Sequence, residues 1–275
     1  MYTLSNIFIY PIKGCAGISL ESAEVLDRGL QYDRRWMLVD DSGQFISQRS
    51  HPQLALFETA IIDEWLFVSY EDDTHQVPLK DVGEDHRQVV VWDDTLKAYI
   101  ANAEDSKWFS DRLGMTVTLV SMHKDSHRPV DPRFSVSQKE EVSFADGYPF
   151  LILGHASMNL LNEKVTGEAL LIDRFRPNLV FEGGTPHVED TWRSFSVGEV
   201  AFHGVKPCAR CQVTTINQQT GAQGKEPLLS LAKYRKLGNK VLFGQNCLLE
   251  TGGTIKVGDQ IVVATQGEPP LPMVE

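Results

Sequence analysis

The chain has 275 residues, 42% hydrophobic and 23% charged, and carries a net charge of −11 at pH 7. That length buries a sizeable core in one large domain or two small ones, and the acidic balance argues against stable nucleic-acid binding. MYTLSNIFIYPIKG has no secretory pattern, no apolar run reaches the roughly 18 residues of a membrane span, and four scattered cysteines do not make a disulfide scaffold, so a cytoplasmic protein with reduced thiols and no membrane span is expected.

The first third is dense in short strand signals. β-Branched and aromatic residues predict strands over Ile7–Tyr10, Trp36–Val39, Gln44–Gln48, Leu54–Ile62, Trp65–Tyr70, Gln88–Trp92 and Leu96–Ile100. Turn residues separate them at Asp40–Gly43, Asp63-Glu64 and Asp93-Asp94. A helix is predicted near Glu104–Leu113, with Trp108, Phe109 and Leu113 on one face and Gly114 as its stop. Met115–Met122 reads as a strand, and the charged, aperiodic stretch 123–141 as a loop.

The second half repeats the mixture. Phe150–Leu153 is predicted as a strand, and Ser157 as the cap of a helix running to about Val165. Further strands are predicted at Asn178–Phe181, Ser194–Val197, Val200–His203, Val213–Ile216, Leu248–Glu250, Thr254–Val257 and Gln260–Val263, with a helix at Leu228–Lys236. The tail TQGEPPLPMVE is proline-rich and predicted unpacked. The sum is a β-rich α+β fold in two packed parts, 1–122 and 123–265, followed by the tail 266–275.

One stretch stands out, GVKPCARCQVTTIN, with Cys208 and Cys211 around Arg210. Four readings compete for it. A zinc site needs more ligands than one Cys-x-x-Cys supplies, and no second pair or H-x₃₋₅-H follows. A redox dithiol should open a helix, whereas a strand is predicted here. Two small packing residues are the default for free cysteine. Arg210, however, makes the surroundings electropositive, which favours thiolate, a soft metal ligand. Lys13, Arg34, Arg35, Arg49, Arg174 and Arg176 also lie at strand ends or turns, where they can converge on an anion or remain solvated. His187 and His203 read as surface or satisfied core residues, Glu71–Asp73 and Glu140–Glu141 as solvated faces. No nucleotide-binding glycine pattern is present.

Several motifs occur together in one order: YPIKG (10–14), YDRRWMLVD (32–40), GQFISQR (43–49), RFRPNLVFEG (174–183), PCARCQVTTIN (207–217), TG…KEPLLSLAKYR (220–235) and the closing LFGQN…GTIKVGD (242–259). In this the chain resembles MOSC-domain proteins with an N-terminal β-barrel domain, the mitochondrial amidoxime-reducing components and bacterial hydroxylaminopurine-reducing relatives. The resemblance covers nearly the whole chain. It implies an N-terminal barrel-like domain, a MOSC barrel with a few short helices, and a molybdenum cofactor bearing a pterin and a phosphate.

Residue by residue, the resemblance implies that Cys211 ligates molybdenum, with Cys208 beside it in support. It maps cofactor contacts to Lys13, Gly14, Arg34, Arg176, Asn178, Ala209 and Arg210, and to the backbone of Gly147 and Tyr148. Gly147 and Tyr148 replace hydroxyl side chains of animal members, and Gly14 replaces a serine. Asp146 maps to an acidic residue placed to hold substrate or water near the metal. The implied activity is reduction of N-hydroxylated compounds, including hydroxylamines, amidoximes and base analogues, with detoxification as its role. A fused ferredoxin-like domain of many bacterial relatives would bring four clustered cysteines, and none are seen. A separate flavin or iron–sulfur protein is therefore the implied electron donor. The competing reading is a non-catalytic molybdopterin or sulfur carrier, and a plain barrel that binds a ligand is a third.

Overall fold

The first strand does more than open the chain. Tyr2–Ile9 buries Leu4, Ile7 and Ile9, with a register shift between Leu4 and Asn6. It lies antiparallel to both Leu179–Glu182 and Gln260–Gln266, far along the sequence. The structure, a computed structural model, describes residues 1–80, 84–123 and 125–272. Lys124 of the predicted loop and residues 273–275 of the predicted tail lie outside the described residues.

Seven strands close a barrel in the order Phe150–Gly154, Leu179–Glu182, Tyr2–Ile9, Gln260–Gln266, Trp192–Val197, Val200–Ala209 and Lys240–Thr251, which returns to Phe150–Gly154. Closure leaves no long unpaired edge. The interior is filled by Phe150, Phe181, Trp192, Phe195 and Phe202. Trp192 is fully buried, with the Phe181, Tyr2 and Phe195 rings 4.7, 5.0 and 5.2 Å away. Such edge and tilted contacts add about 0.5–1.5 kcal/mol per pair beyond burial. Cys247 belongs to this core and Cys15 to the other. Burial pushes the Cys15 thiol up to about 12, so it acts as a packing residue.

The other part is a half-barrel. One four-stranded sheet runs Trp36–Val39, Thr118–Met122, Asp94–Ile100, His86–Val91, and a three-stranded meander runs Glu58–Ile62, Trp65–Tyr70, Asp73–Pro78. The helix Ala103–Leu113 seals them. Asn102 caps it by accepting from Asp105 N–H at 2.8 Å, and Gly114 ends it in the left-handed conformation. Phe57, Leu66, Val68, Trp108 and Phe109 form the shared core. The two parts are thus packed β domains. The sequence division at 122 crosses this arrangement at two places: Tyr2–Ile9 is a barrel stave, and Gly253–Lys256 pairs with Ser22–Leu26.

Several predicted elements change. Gln44–Gln48 is not a regular strand; it makes only the single bridges Val39↔Phe45 and Gln44↔Val90. Leu54–Ile62 splits into a 3₁₀ turn, Pro52–Leu56, and a strand. Val213–Ile216 is not a strand, because Gln212–Thr215 turns as a 3₁₀ helix. Leu228–Lys236 shortens to the helix Leu228–Leu231. The helix expected to start at Ser157 is His155–Lys164, capped by Gly154. Ser157 lies inside it and donates to Glu189 at 2.8 Å. The start of the tail is packed: Gln266 pairs with Trp192, and Gly267 N–H donates to Thr191 O at 2.8 Å.

A buried polar cluster sits against the barrel wall. His187, Glu189, Asp190 and Arg235 are all 0% exposed. Neither ring nitrogen of His187 has a partner, so it is neither the surface nor the satisfied core histidine expected. Glu189 is pushed up to about 7, first by burial and then by the adjacent Asp190 carboxylate, against donation from Ser157. Its carboxyl is ordinarily near 4.5. Because the folded value is the higher one, its contribution is complete below pH 4.5 and is lost as pH rises through 7. Glu189→Gln is therefore expected to change stability little at pH 4.5 and to add about 3 kcal/mol above pH 7. Urea unfolding at both pH values checks this; an equal gain at each would exclude the carboxylate charge as the cause.

Candidate functional site

The segment Tyr10–Gly14 leaves the barrel strand and crosses to the half-barrel. Lys13 N–H donates to Trp36 O at 2.8 Å, and Trp36 N–H to Pro11 O at 3.0 Å. Gly14 has φ +91, and a Cβ there would stand 3.0 Å from Leu54 Cδ1, so glycine relieves strain at this turn. Its carbonyl accepts from Gln48 Nε2 at 2.6 Å, and Gln48 exchanges amide hydrogen bonds with Gln218 at 3.0 and 3.1 Å.

Two arginines flank the Tyr10 ring. Arg34 Cζ lies 4.1 Å and Arg176 Cζ 4.2 Å from its centroid. Both have positive φ, 48° and 53°, an uncommon conformation outside glycine and one that clusters at functional sites. Buried Asp33 fixes the arrangement. It accepts Tyr10 N–H at 2.8 Å and takes Arg34 Nη1 on both oxygens at 2.7 and 2.8 Å. Arg176 is lowered to about 10, by its buried surroundings first and by the Arg34 charge second. It stays protonated at neutral pH.

Lys13 is buried and donates to Phe144 O at 2.8 Å and Asp146 Oδ1 at 2.6 Å. Burial lowers its pKa against the pull of Asp146. Asp146 is 68% exposed and also accepts from the Trp92 indole N–H at 3.2 Å. The crowding around it would raise its carboxyl. The Lys13 ammonium and the Trp92 donor outweigh that and hold it well below the usual carboxylate range. Arg128, 2% exposed, organises this loop from below. It donates to the carbonyls of Ser143, Ala145 and Asp146 and pairs with Asp94 at 2.8 Å.

Cys211 follows the strand Val200–Ala209. Its carbonyl accepts from Thr214 N–H at 3.2 Å and Thr214 Oγ1 at 2.9 Å, which pins the turn. Arg210 N–H donates to Val241 O at 2.8 Å. The Arg210 guanidinium donates to Cys208 Sγ at 2.9 Å and Phe175 O at 2.7 Å, while its buried Nε–H has no partner. Burial raises the Cys208 thiol, and Arg210 opposes that rise. Among the described residues no group of three His, Cys, Asp or Glu side chains could hold a metal, so the zinc reading of the pair finds no further ligands.

These residues share one cavity of about 890 Å³, part of it open to solvent. Of the sequence-predicted set, Lys13, Gly14, Arg34, Asp146, Gly147, Tyr148, Arg176, Asn178, Arg210 and Cys211 line it. Ala209 does not; it is exposed, and its backbone pairs with Leu242. Asn178 reaches the cavity, but its amide is engaged with the framework, donating to Phe8 O and accepting from Leu151 N–H, each at 3.2 Å. Gly147 has open space around its missing Cβ, and the Tyr148 hydroxyl is buried without a partner. Arg49 joins the lining, while Arg35 and Arg174 stay outside it. Phe45, Gln48, Trp92, Phe175 and Thr214 line the site although sequence reasoning did not select them. For Trp92 a signal existed, since a turn one residue earlier places it at the hairpin tip.

The site therefore gathers five cations (Lys13, Arg34, Arg49, Arg176 and Arg210), one lining carboxylate and an unpaired thiol, in a chain of net charge −11. Arg49, Arg176 and Arg210 have no carboxylate partner among the described residues. Cations without anions, an orphaned Arg210 donor and a thiol suit a polyanionic ligand that also presents a soft metal.

Comparison with known proteins adds to this. Residues 1–116 match the MOSC N-terminal beta barrel domain, and residues 139–262 match the MOSC domain. The mitochondrial amidoxime-reducing component 1 of Mus musculus is 30% identical, over 96% of this chain and 83% of its own length. The protein of the same name from Homo sapiens gives the same three figures. The molybdenum cofactor sulfurase of Oryza sativa subsp. japonica is 29% identical over 96% of this chain, but the match spans only 36% of that longer protein.

Proposed function

Because this chain belongs to the MOSC family and carries both the MOSC domain and its N-terminal barrel domain, we propose that it is a molybdenum-cofactor-dependent reductase of N-hydroxylated compounds. The observation that carries the reading is that five cations and the Cys211 thiol line one cavity. The relatives named for amidoxime reduction, matched over most of their length, support the same reading.

Arg34 and Arg176, braced on Tyr10, would hold the cofactor's phosphate, and Cys211 would ligate molybdenum. Arg210 would donate its free Nε–H to the pterin. The bound group supplies the two-electron chemistry by which an N–OH compound, two protons and two electrons yield an amine or amidine and water. Asp146, ionised across the working pH range, accepts the substrate's N–H and orients the N–OH group. Lys13 keeps that carboxylate charged and carries the proton nearest to it. Electrons come from a separate flavin or iron–sulfur protein. No helix among the described residues is long and apolar enough to cross a membrane. Four free thiols fit a reducing compartment, and we place the protein in the cytoplasm.

The second reading, a carrier of molybdopterin or sulfur, draws on Cys208, whose thiol lies 2.9 Å from Arg210. The reductase is preferred because the relatives named for amidoxime reduction are matched over 83% of their own length, against 36% for the sulfurase. Protein from a cofactor-competent host should contain near-stoichiometric molybdenum and pterin, and should reduce benzamidoxime when given electrons. Asp146→Asn should retain the metal and lose about 10- to 100-fold in kcat/KM. In the wild type, kcat/KM should show no acid limb near pH 4, because Asp146 titrates below the usual range. Metal and pterin without any reduction would favour the carrier; neither metal nor pterin would refute both.

A further inference from the structure

The hairpin His86–Val91 and Asp94–Ile100 turns through two residues, with Val91 opposite Asp94. Of the two, only Trp92 has positive φ, at 58°. A two-residue turn with this sign at its first position favours glycine, and a bulky residue there is an outlier. The unfavourable backbone delivers an indole to the cavity. The Arg49 guanidinium lies 4.2 Å over the indole, and the Phe45 ring meets it at 4.9 Å. Trp92 is half-buried, and all three line the cavity. Its N–H reaches Asp146, while Arg128 ties both the hairpin, through Asp94, and the Asp146 loop into one piece.

Beside Trp92 the Asp146 carboxylate, paired with Lys13, still has free acceptor capacity for an N–H donor, while the Arg49 cation covers the indole. We propose that Trp92 is a specificity-determining residue: capped by Arg49 and met edge-on by the Phe45 ring, it forms an aromatic corner that selects planar, conjugated N-hydroxylated compounds over small aliphatic ones. Indole and guanidinium groups attract conjugated ligands through their π surfaces and edges, and Asp146 takes their N–H. This inference rests on the reductase reading.

The test uses cofactor-loaded protein without reductant, so that binding is read without turnover. Calorimetry compares benzamidoxime with N-methylhydroxylamine on wild type, Trp92→Gly and Trp92→Phe. Trp92→Gly should raise the Kd for benzamidoxime about tenfold and the Kd for N-methylhydroxylamine less than twofold. Trp92→Phe should fall between wild type and Trp92→Gly for benzamidoxime. Trp92→Gly relieves the turn but removes the packing of Trp92 on its core cluster, so thermal melting of each variant is recorded beside its Kd to show that the protein tested is folded. With electrons supplied, the kcat/KM ratio of the two compounds should fall in parallel. Equal weakening of both ligands, or unchanged benzamidoxime binding, overturns the inference while leaving the reductase reading intact. A wild-type loaded protein that neither binds nor reduces either compound refutes the reductase reading, and the selectivity inference falls with it.

Discussion

Cys211→Ala is expected to lose molybdenum and to fall below about 1% of wild-type reductase activity, while Cys208→Ala keeps the metal and loses less than about tenfold. Changes in groups that merely support a metal ligand typically cost 10- to 100-fold, so removing the ligand itself should exceed that range. The structure separates the two cysteines. Cys211 stands on a turn pinned by two donors from Thr214, and among the described residues no partner holds its thiol. Cys208 is joined to Arg210 Nη1, so its removal frees one donor on a side chain that Phe175 O still anchors. Elemental analysis, pterin fluorescence after oxidation and benzamidoxime reduction, run on the three proteins together, check the expectation. Equal loss of metal in both variants would mean that the cysteines act as a pair and that the asymmetric assignment is wrong.

Asp190→Ala should lower the thermal midpoint by about 10 °C or prevent soluble expression. Asp190 and Arg235 form an ion pair with both side chains fully buried. Arg235 also donates from Nε to Leu242 O at 3.0 Å, and its Nη1 is already without a partner. Removing the carboxylate strands a guanidinium that cannot neutralise itself, which typically costs about 3–5 kcal/mol. In a protein of this size each kcal/mol moves the midpoint by roughly 2–4 °C. The double variant Asp190→Leu with Arg235→Met should recover much of the loss, because well-packed apolar replacements of buried pairs are often neutral. The effect also reaches the site: Leu242 faces Ala209, and Val241 O accepts from Arg210 N–H. Calorimetric melting of the three variants checks the stability, and molybdenum content reads the effect on the turn. No loss in the single variant would show that the cluster relaxes around the orphaned charge.

The sequence carried much of the fold, because local chemistry decides it there. Asn102 and Gly114 bracket the helix as capping rules require, and Trp36–Val39 and Trp65–Tyr70 form at their predicted limits. It failed where tertiary context overrides propensity. Val213 and Thr214 look β-prone, yet the chain turns there to present Cys211. Phe45 and Gln48 were read as strand, but the segment bends so that both line the cavity. At the site, the residues carried over by resemblance lie together, Ala209 excepted. The bracing roles of Asp33 and Arg235, though both lie in quoted motifs, and of Arg128, which lies in none, were not legible, because they depend on partners brought together only by the fold, such as Tyr10 N–H, Asp190 and the carbonyls of the Asp146 loop. Trp92 escaped because a slip of one residue in the hairpin tip decides whether it is strand or turn.

The place of Tyr2–Ile9 in the barrel fixes a timetable for the nascent chain. Its neighbours Leu179–Glu182 and Gln260–Gln266 are among the later segments to be synthesised. The seam joining Tyr2 to Ile261 brings together residues far apart in sequence, a slow kind of contact to make. Until then the first strand has only the short Ile18–Leu20 strand beside its C-terminal half, and its Leu4 and the faces that later pack in the barrel are open to other chains. The half-barrel can assemble while the polypeptide is still growing, but the cavity between the two parts cannot exist before the barrel closes. Competence to take up a ligand there is therefore gained only once Gln260–Gln266 has been made and seated in the barrel.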